Sequence, residues 1–267
     1  MSWQLISRSF AVLRRDPKLL MFPLLSALAA VAIVALSLLT SMGRGLIVTS
    51  GAGWQFGRMD IVSLLLTYWL LYFVMIFFNC ALAACAQAVF SGREMGVGGG
   101  IAAAFSKIQP ILLWSLIAST VGIVLRVFNE RSGLWGKIVA GALGIAWNVA
   151  TFLVIPVLIV EDVGAIDAIR RSSQLLRKTW GEQLTVGIGM FWIGLLFAAP
   201  GIVLGAIGMN YYAPAIAAAV IYFVALVAVM TAVRRIFDVA LYRFATSGQV
   251  DGFPPAMLNR AFAPRGR

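Results

Sequence analysis

The residue types that most often carry chemistry are scarce in this chain. Its 267 residues include no histidine, two cysteines and ten carboxylates. Histidine titrates closer to neutral pH than other side chains and is the commonest metal ligand, so acid–base catalysis and zinc binding both lack their usual residue. Ser/His and Cys/His pairs are excluded. The sequence therefore predicts a non-enzymatic protein with no cofactor and no metal.

The two cysteines, Cys80 and Cys85, lie five residues apart in one apolar run. On a helix this spacing turns one side chain about 140° away from the other. A disulfide needs the two side chains to face each other at short distance. We therefore interpret both as small core residues.

Three amides interrupt apolar stretches: Asn79, Gln87 and Asn148. Asn79 and Gln87 are eight residues apart, which places them on one face of a helix. Such groups either line a path for a transported molecule or form hydrogen bonds between helices, each worth about 0.6–2 kcal/mol. The sequence leaves both interpretations open.

Two glycines indicate a close contact between helices. Gly201 and Gly205 form a GxxxG pattern, which lets two helix backbones approach each other. The contact can join helices of one chain or of two copies, so the pattern is compatible with a homo-oligomer.

The amino-acid composition indicates whether the chain lies in water or in a membrane. Hydrophobic residues make up 61% of the chain and charged residues 12%, against about 45–50% and about 25% in a soluble domain. Too few charged residues remain to cover a surface in water. The net charge of +11 is explained by basic loops at a membrane rather than by nucleic acid as a partner, so the partner we expect is the lipid bilayer.

A membrane-spanning helix needs about 20 mainly apolar residues, and long runs without alternation favour helices over barrel strands. The predicted fold is all-α: a polytopic integral membrane protein with six transmembrane helices and amphipathic interfacial helices on the cytoplasmic side. The predicted spans are residues 19–40, 61–90, 110–127, 134–160, 184–207 and 212–233. A surface helix at 2–16, another at 164–180 and a cytoplasmic tail at 234–267, helical as far as Ala245, complete this single membrane domain.

The basic residues predict the orientation. With these spans, 16 of the 21 lysines and arginines lie on one side and five on the other. Cytoplasmic loops collect lysine and arginine. Both termini are therefore predicted to be cytoplasmic, in a multi-pass protein of the bacterial inner membrane.

The segment 164–180 has the clearest helical periodicity. Its polar stripe contains Arg170, Arg171, Arg177 and Lys178, and its apolar face was assigned to Ile166, Ile169, Ser173, Leu176 and Trp180, with Trp180 at headgroup depth. The stripe is a candidate contact for anionic lipid headgroups or a partner; the alternative is a helix that only connects two spans. Glu161 and Asp162 are expected at the helix start, where the macrodipole favours carboxylates, with Asp162 as the N-cap.

The run of four glycines in residues 96–100 lacks the Lys-Ser/Thr that follows in a phosphate-binding loop. We interpret it as a flexible joint. It precedes a third, short surface helix containing Ile101, Phe105 and Ile108, which Pro110 is expected to end.

Three segments resemble an uncharacterised family of bacterial multi-pass membrane proteins, classed as a domain of unknown function. They are the opening, with Trp3, Ser9, Arg14, Arg15, Asp16, Leu19, Leu20, Phe22 and Pro23; the middle, with Pro156, Glu161, Gly164, Ser172, Trp180 and Gly181; and the tail ALYRFATSGQVDGF. The middle segment is also loosely similar to the membrane domain attached to some glycerophosphodiester phosphodiesterases. The resemblance implies six spans and no known activity.

Two functional hypotheses follow. The first is an oligomeric, channel-like or passive transport protein that uses Asn79, Gln87 and Asn148. The second is a membrane scaffold or assembly factor that binds partners or anionic lipid through its basic amphipathic helices. A lipid-modifying enzyme is disfavoured, since histidine and clustered acids are missing.

Overall fold

The computed structural model describes the backbone of residues 2–43, 58–178, 183–210 and 214–247, and the side chains of 9–41, 61–133, 135–176, 194–209 and 214–247. Every regular element in these ranges is helical. The elements are α1 (Ser2–Arg15), a 3₁₀ turn (Pro17–Leu20), α2 (Met21–Gly43), α3 (Arg58–Phe90), α4 (Val97–Ser106), α5 (Ile108–Arg131), α6 (Leu134–Ala150), α7 (Val154–Val160), α8 (Ala165–Lys178), α9 (Gln183–Asn210) and α10 (Pro214–Ser247).

The long helices have the length and composition of membrane spans. Five qualify within the described residues: Pro17–Ser41, Ile61–Phe90, Ile108–Arg131, Trp135–Val160 and Pro214–Ser247. Their large apolar side chains are widely exposed on the outside of the bundle, as lipid-facing residues are. This confirms the all-α, polytopic prediction. Helix α9 (Gln183–Asn210) covers the predicted span 184–207, but its side chains are described only from Gly194 to Met209, so the sixth span stays a prediction.

The fourth predicted span, residues 134–160, is not one continuous helix. A turn at residues 151–153 separates α6 from α7. Pro156 is the third residue of α7, where its missing N–H would have no helical partner anyway. The Leu153 N–H instead donates to the buried Ser172 Oγ of α8 at 3.0 Å. The Leu153 N–H at the break is thus satisfied by a side chain that is far away in the sequence.

The glycine run is helical, which makes the flexible-joint interpretation wrong. Gly96 is the N-cap of α4, and the other glycines lie inside the helix. A Cβ built on Gly100 would come within 2.6 Å of Cys85 Sγ and 2.8 Å of the Ala81 carbonyl oxygen. Glycine is needed there because α4 lies directly on α3. The short helix also ends at Ser106, and Pro110 stands in the first turn of α5 rather than ending a helix.

The packed interior lies at one end of the bundle. There the second half of α10 is buried on almost every side, between α1, α2, α3, α7 and α8. We call this cluster the basal core, and this end the basal end. Its members in α10 are Ala232, Val233, Ile236, Phe237, Asp238, Val239, Ala240, Leu241 and Tyr242. Residues 234–247, assigned to the predicted tail, are therefore part of a helix that organises the fold.

Candidate functional site

The amphipathic helix α8 packs against the rest of the protein. Its buried residues are Ala165, Ala168, Ser172, Leu175 and Leu176. Ile166, assigned from sequence to the apolar face, is 54% exposed. The buried face is rotated because the small side chains of Ala165, Ala168 and Ser172 allow close approach to the bundle. The sequence pattern distinguishes polar from apolar residues, but it does not reveal this preference for small ones.

A carboxylate holds α8 to its neighbours. Arg171 Nε donates to both oxygens of Glu161, at 3.0 and 3.2 Å. The hydroxyl of Tyr242 in α10 donates to Glu161 Oε1 at 3.0 Å. Glu161 thus connects α7, α8 and α10, and Arg171 is engaged in this contact rather than free for a ligand.

The predicted N-cap role of Asp162 is also wrong. Helix α8 begins at Ala165, two residues beyond the position that would allow Asp162 to cap it. Asp162 Oδ1 instead accepts a hydrogen bond from Lys107 Nζ at 2.6 Å. This hydrogen bond and the lysine charge hold the pKa of Asp162 below its ordinary value. The contact joins the two loops that precede α5 and α8.

The rest of the predicted basic stripe is only partly visible. Arg170 has 74% of its side chain exposed and forms an ion pair with Asp167 of the same helix, Nη1 to Oδ1 at 3.5 Å. Arg177 and Lys178 lie in α8, but the structure does not describe their side chains. Trp180 lies outside the described residues.

Sequence analysis missed an ion pair inside the basal core. Arg235 Nη1 donates to Asp238 Oδ2 at 2.8 Å, and the Asp238 side chain is only 1% exposed. Asp238 Oδ1 and Arg235 Nε are buried with no hydrogen-bond partner among the described residues. The spacing of three between opposite charges is a signal of an ion pair, but the predicted cytoplasmic tail at 234–267, although helical as far as Ala245, gave no reason to expect that the pair is buried.

The three amides of the proposed path do not have a common environment. Asn79 is buried in α3, with 6% of its surface exposed. Gln87 lies at the basal end of α3, where its main-chain carbonyl oxygen accepts from Arg243 Nη1 at 3.4 Å. Asn148 is exposed on α6 and donates to the Gly144 carbonyl one turn earlier, at 2.9 Å. Asn148 therefore satisfies itself within its own helix.

Hydrogen bonds between spans involve other residues. Ser37 and Thr67 join α2 to α3 with 2.9 Å between their hydroxyl oxygens. Trp69 Nε1 donates to the buried Ser115 Oγ at 3.1 Å and joins α3 to α5. These polar groups join helices of the bundle, and interhelical hydrogen bonding by Asn79 and Gln87 stays a prediction.

The GxxxG residues lie where α9 contacts α10 in the same chain. A Cβ on Gly201 would meet ring atoms of Phe223 and Tyr222 at 2.8 Å. A Cβ on Gly205 would have only Ala219 Cβ nearby, at 3.9 Å. The pattern is therefore used inside the chain, and it no longer supports a homo-oligomer.

The difference between the two glycines is testable. We expect Gly201→Ala to lower the free energy of unfolding by about 1–2 kcal/mol, because overpacking forces the two rings to move. Gly205→Ala, the matched control in the same helix, should be neutral or slightly stabilising, since alanine favours the helix. Unfolding in detergent micelles measures both. Equal effects would show that α9 and α10 do not pack at Gly201.

The comparisons with known proteins identify a family without an assigned function. The profile described as "Family of unknown function (DUF6159)" matches residues 58–253. No curated protein and no solved structure matches the chain. The match includes the middle and tail segments of the resemblance but not the opening one, and it gives no sign of glycerophosphodiester phosphodiesterases. Because the matched range covers well over half of the chain, this membrane protein belongs to the DUF6159 family of unknown function.

Proposed function

We propose that the protein is a non-enzymatic scaffold of the bacterial cytoplasmic membrane that binds anionic lipid headgroups at its basal end. The observation that carries the proposal is the way α8 is held. Its inner face is buried, Arg171 is paired with Glu161, and Arg170 points outward, 74% exposed. A basic amphipathic helix in this position presents its charge to its surroundings.

The attachment of α8 supports a fixed binding surface. The ion pair to Glu161, the hydrogen bond from Tyr242 to that carboxylate, and the bond from Leu153 N to Ser172 Oγ all act on the same helix. A surface whose backbone is already fixed loses little conformational entropy when it binds. This is the property expected of a scaffold.

The charge distribution supports placing the basal end in the cytoplasm. Arg93, Lys107, Arg170, Arg234 and Arg243 all belong to this end, where Lys107 pairs with Asp162 and Arg170 with Asp167. The opposite end holds fewer described cations: Arg126, which pairs with Glu130 at 2.8 Å, Arg131 and Lys137. Lysine and arginine close to the membrane attract anionic lipids by about 1 kcal/mol each. The same charges would retain this end on the cytoplasmic side.

Passive transport remains the alternative from the sequence. Of its three residues, Asn148 donates to its own helix and Gln87 lies at the basal end beside Arg243. Asn79 is buried within a span, and Gln87 Oε1 is a buried oxygen with no hydrogen-bond partner among the described residues. A transport role therefore has less support here than a lipid-binding role.

The test reverses charge on α8. In the variant, Arg170, Arg177 and Lys178 are changed to glutamate, while Arg171 is kept because it pairs with Glu161. A matched control changes the same number of cations, Arg126, Arg131 and Lys137, which are exposed at the opposite end, to glutamate. The lipids that surround each protein are extracted with it in polymer nanodiscs and quantified.

We expect phosphatidylglycerol to be enriched around the wild-type protein and around the control, because the basal cations are intact in both. The α8 variant should lose this enrichment while keeping the wild-type unfolding temperature. Equal phosphatidylglycerol around all three proteins would reject the proposal.

A further inference from the structure

We propose that a cleft at the basal end, between residues 15–18 and residues 92–96, is a discrete site for the phosphate of one anionic phospholipid. This deepens the proposed function, on which it rests, by naming a ligand chemistry and a place. The cleft has a volume of about 690 Å³, which falls in the range of small-molecule sites. Three cationic side chains line it: Arg15, Lys18 and Arg93.

One wall of the cleft is a defined helix end. Helix α3 finishes with Gly92 in the left-handed region, at a φ of 67°. The Gly92 N–H donates to the Val89 carbonyl at 3.1 Å, and the Arg93 N–H donates to the Ala88 carbonyl at 2.9 Å. This pair of bonds is the Schellman motif. It fixes the backbone from which Arg93 extends into the cleft.

The opposite wall is fixed in a similar way. Asp16 is the N-cap of the 3₁₀ turn, and its Oδ1 accepts from the Lys18 N–H at 3.3 Å. Pro17 follows directly and has a restricted φ. The backbones that carry Arg15 and Lys18 are therefore set before any ligand arrives, and Asp16 is occupied by its own turn.

The cationic side chains of the cleft are available to bind an anion. Within the part of the chain that the structure describes, neither Arg15, Lys18 nor Arg93 forms an ion pair with a carboxylate. Glu94 and Asp16 also line the cleft, and the negative charge of each opposes an anion. A phosphate would contact several cations at once, and these two carboxylates would weaken its binding.

The neighbouring surface favours a lipid over a free phosphate. Helix α2, a candidate membrane span, starts just after Lys18, and its first turns expose Met21 by 47% and Leu24 by 45%. Val89 and Met95 add apolar groups to the cleft lining. A phospholipid can place its headgroup between the cations and its acyl chains along α2. Basic pockets beside membrane helices on the cytoplasmic side bind anionic headgroups in this way.

The experiment is a lipid titration of the purified full chain, followed by native mass spectrometry. The probes are phosphatidylglycerol, phosphatidylcholine and inorganic phosphate. We expect the first phosphatidylglycerol to bind at least about tenfold more tightly than phosphatidylcholine, as two or more cations near one phosphate imply. Arg15→Gln with Arg93→Gln should abolish most of this preference. Glu94→Gln should tighten phosphatidylglycerol binding, and Arg131→Gln, at an exposed arginine of the opposite end, should leave that binding unchanged.

The double variant is expected to weaken phosphatidylglycerol binding and Glu94→Gln to tighten it. Because a folding defect cannot tighten binding, the second variant tests the proposal even if the double variant folds poorly. An unchanged affinity in Glu94→Gln, or equal binding of the two lipids, would overturn the site. Displacement of phosphatidylglycerol by inorganic phosphate at equal concentration would also overturn it as a lipid site. The α8 variant separates the two proposals. If the α8 variant still binds its first phosphatidylglycerol tightly but loses the phosphatidylglycerol enrichment in nanodiscs, both proposals are supported. If it binds the first lipid tightly and keeps the enrichment, only the cleft is supported.

Discussion

Changing Asp238 to alanine is expected to lower the free energy of unfolding by about 3–5 kcal/mol. The variant leaves Arg235, whose side chain is only 20% exposed, without its carboxylate partner inside the basal core. A charge that is buried and unpaired costs far more than the lost contact itself. The measurement is unfolding in mixed micelles with increasing SDS, followed by tryptophan fluorescence.

A double variant identifies the cause of this loss. Arg235→Met with Asp238→Leu removes both charges together with the partnerless Asp238 Oδ1 and Arg235 Nε. Apolar replacements of a buried pair are often neutral or stabilising, so the double variant should recover most of the loss. Glu130→Ala breaks the exposed pair with Arg126 and should change little, as surface pairs do. A double variant as unstable as the single one would exclude buried charge as the cause.

Changing Gly100 to alanine is expected to lower the free energy of unfolding by about 3 kcal/mol, at the upper end of overpacking effects. The new methyl group would meet Cys85 Sγ at 2.6 Å, and the Ala81 carbonyl oxygen and Phe22 Cζ at 2.8 Å each. The carbonyl belongs to the backbone of α3 and cannot rotate away as a side chain can. Helix α4 must therefore move off α3, which a shift of the SDS unfolding midpoint will report.

Gly98 provides the matched control in the same helix. Nothing lies within 4 Å of a Cβ at Gly98, so Gly98→Ala should stabilise the protein by up to about 1 kcal/mol through helix propensity. If Gly100→Ala lowers the free energy of unfolding and Gly98→Ala, only two residues away, raises it, packing on α3 decides the effect. If both variants are stabilised, the glycine run is not in contact with α3.

Much of the fold could be predicted because it depends on local composition. Apolar runs of about 20 residues identify membrane helices without any knowledge of their neighbours, and the 3.6-residue period showed α8 as an amphipathic helix. The class of protein, the helical elements and the basic stripe around Arg170 follow from such local patterns. So does the close helix contact at Gly201, because a GxxxG pattern is itself a packing signal.

The tertiary structure decided which groups meet. Glu161 pairs with Arg171 and accepts from Tyr242, 81 residues later in the chain, and no local pattern encodes such a partner. Helix α8 buries Ala165, Ala168 and Ser172 in preference to Ile166, because the fit to neighbouring helices depends on side-chain size as well as on polarity.

The sequence by itself determined an all-α membrane protein with a strongly basic side, because hydropathy and charge act residue by residue. The tertiary structure alone decided that Asp238 is buried, that Gly100 must have no side chain, and that Arg15, Lys18 and Arg93 surround one cleft. These features depend on distances between segments far apart in the chain, and such distances are fixed only when the helices pack.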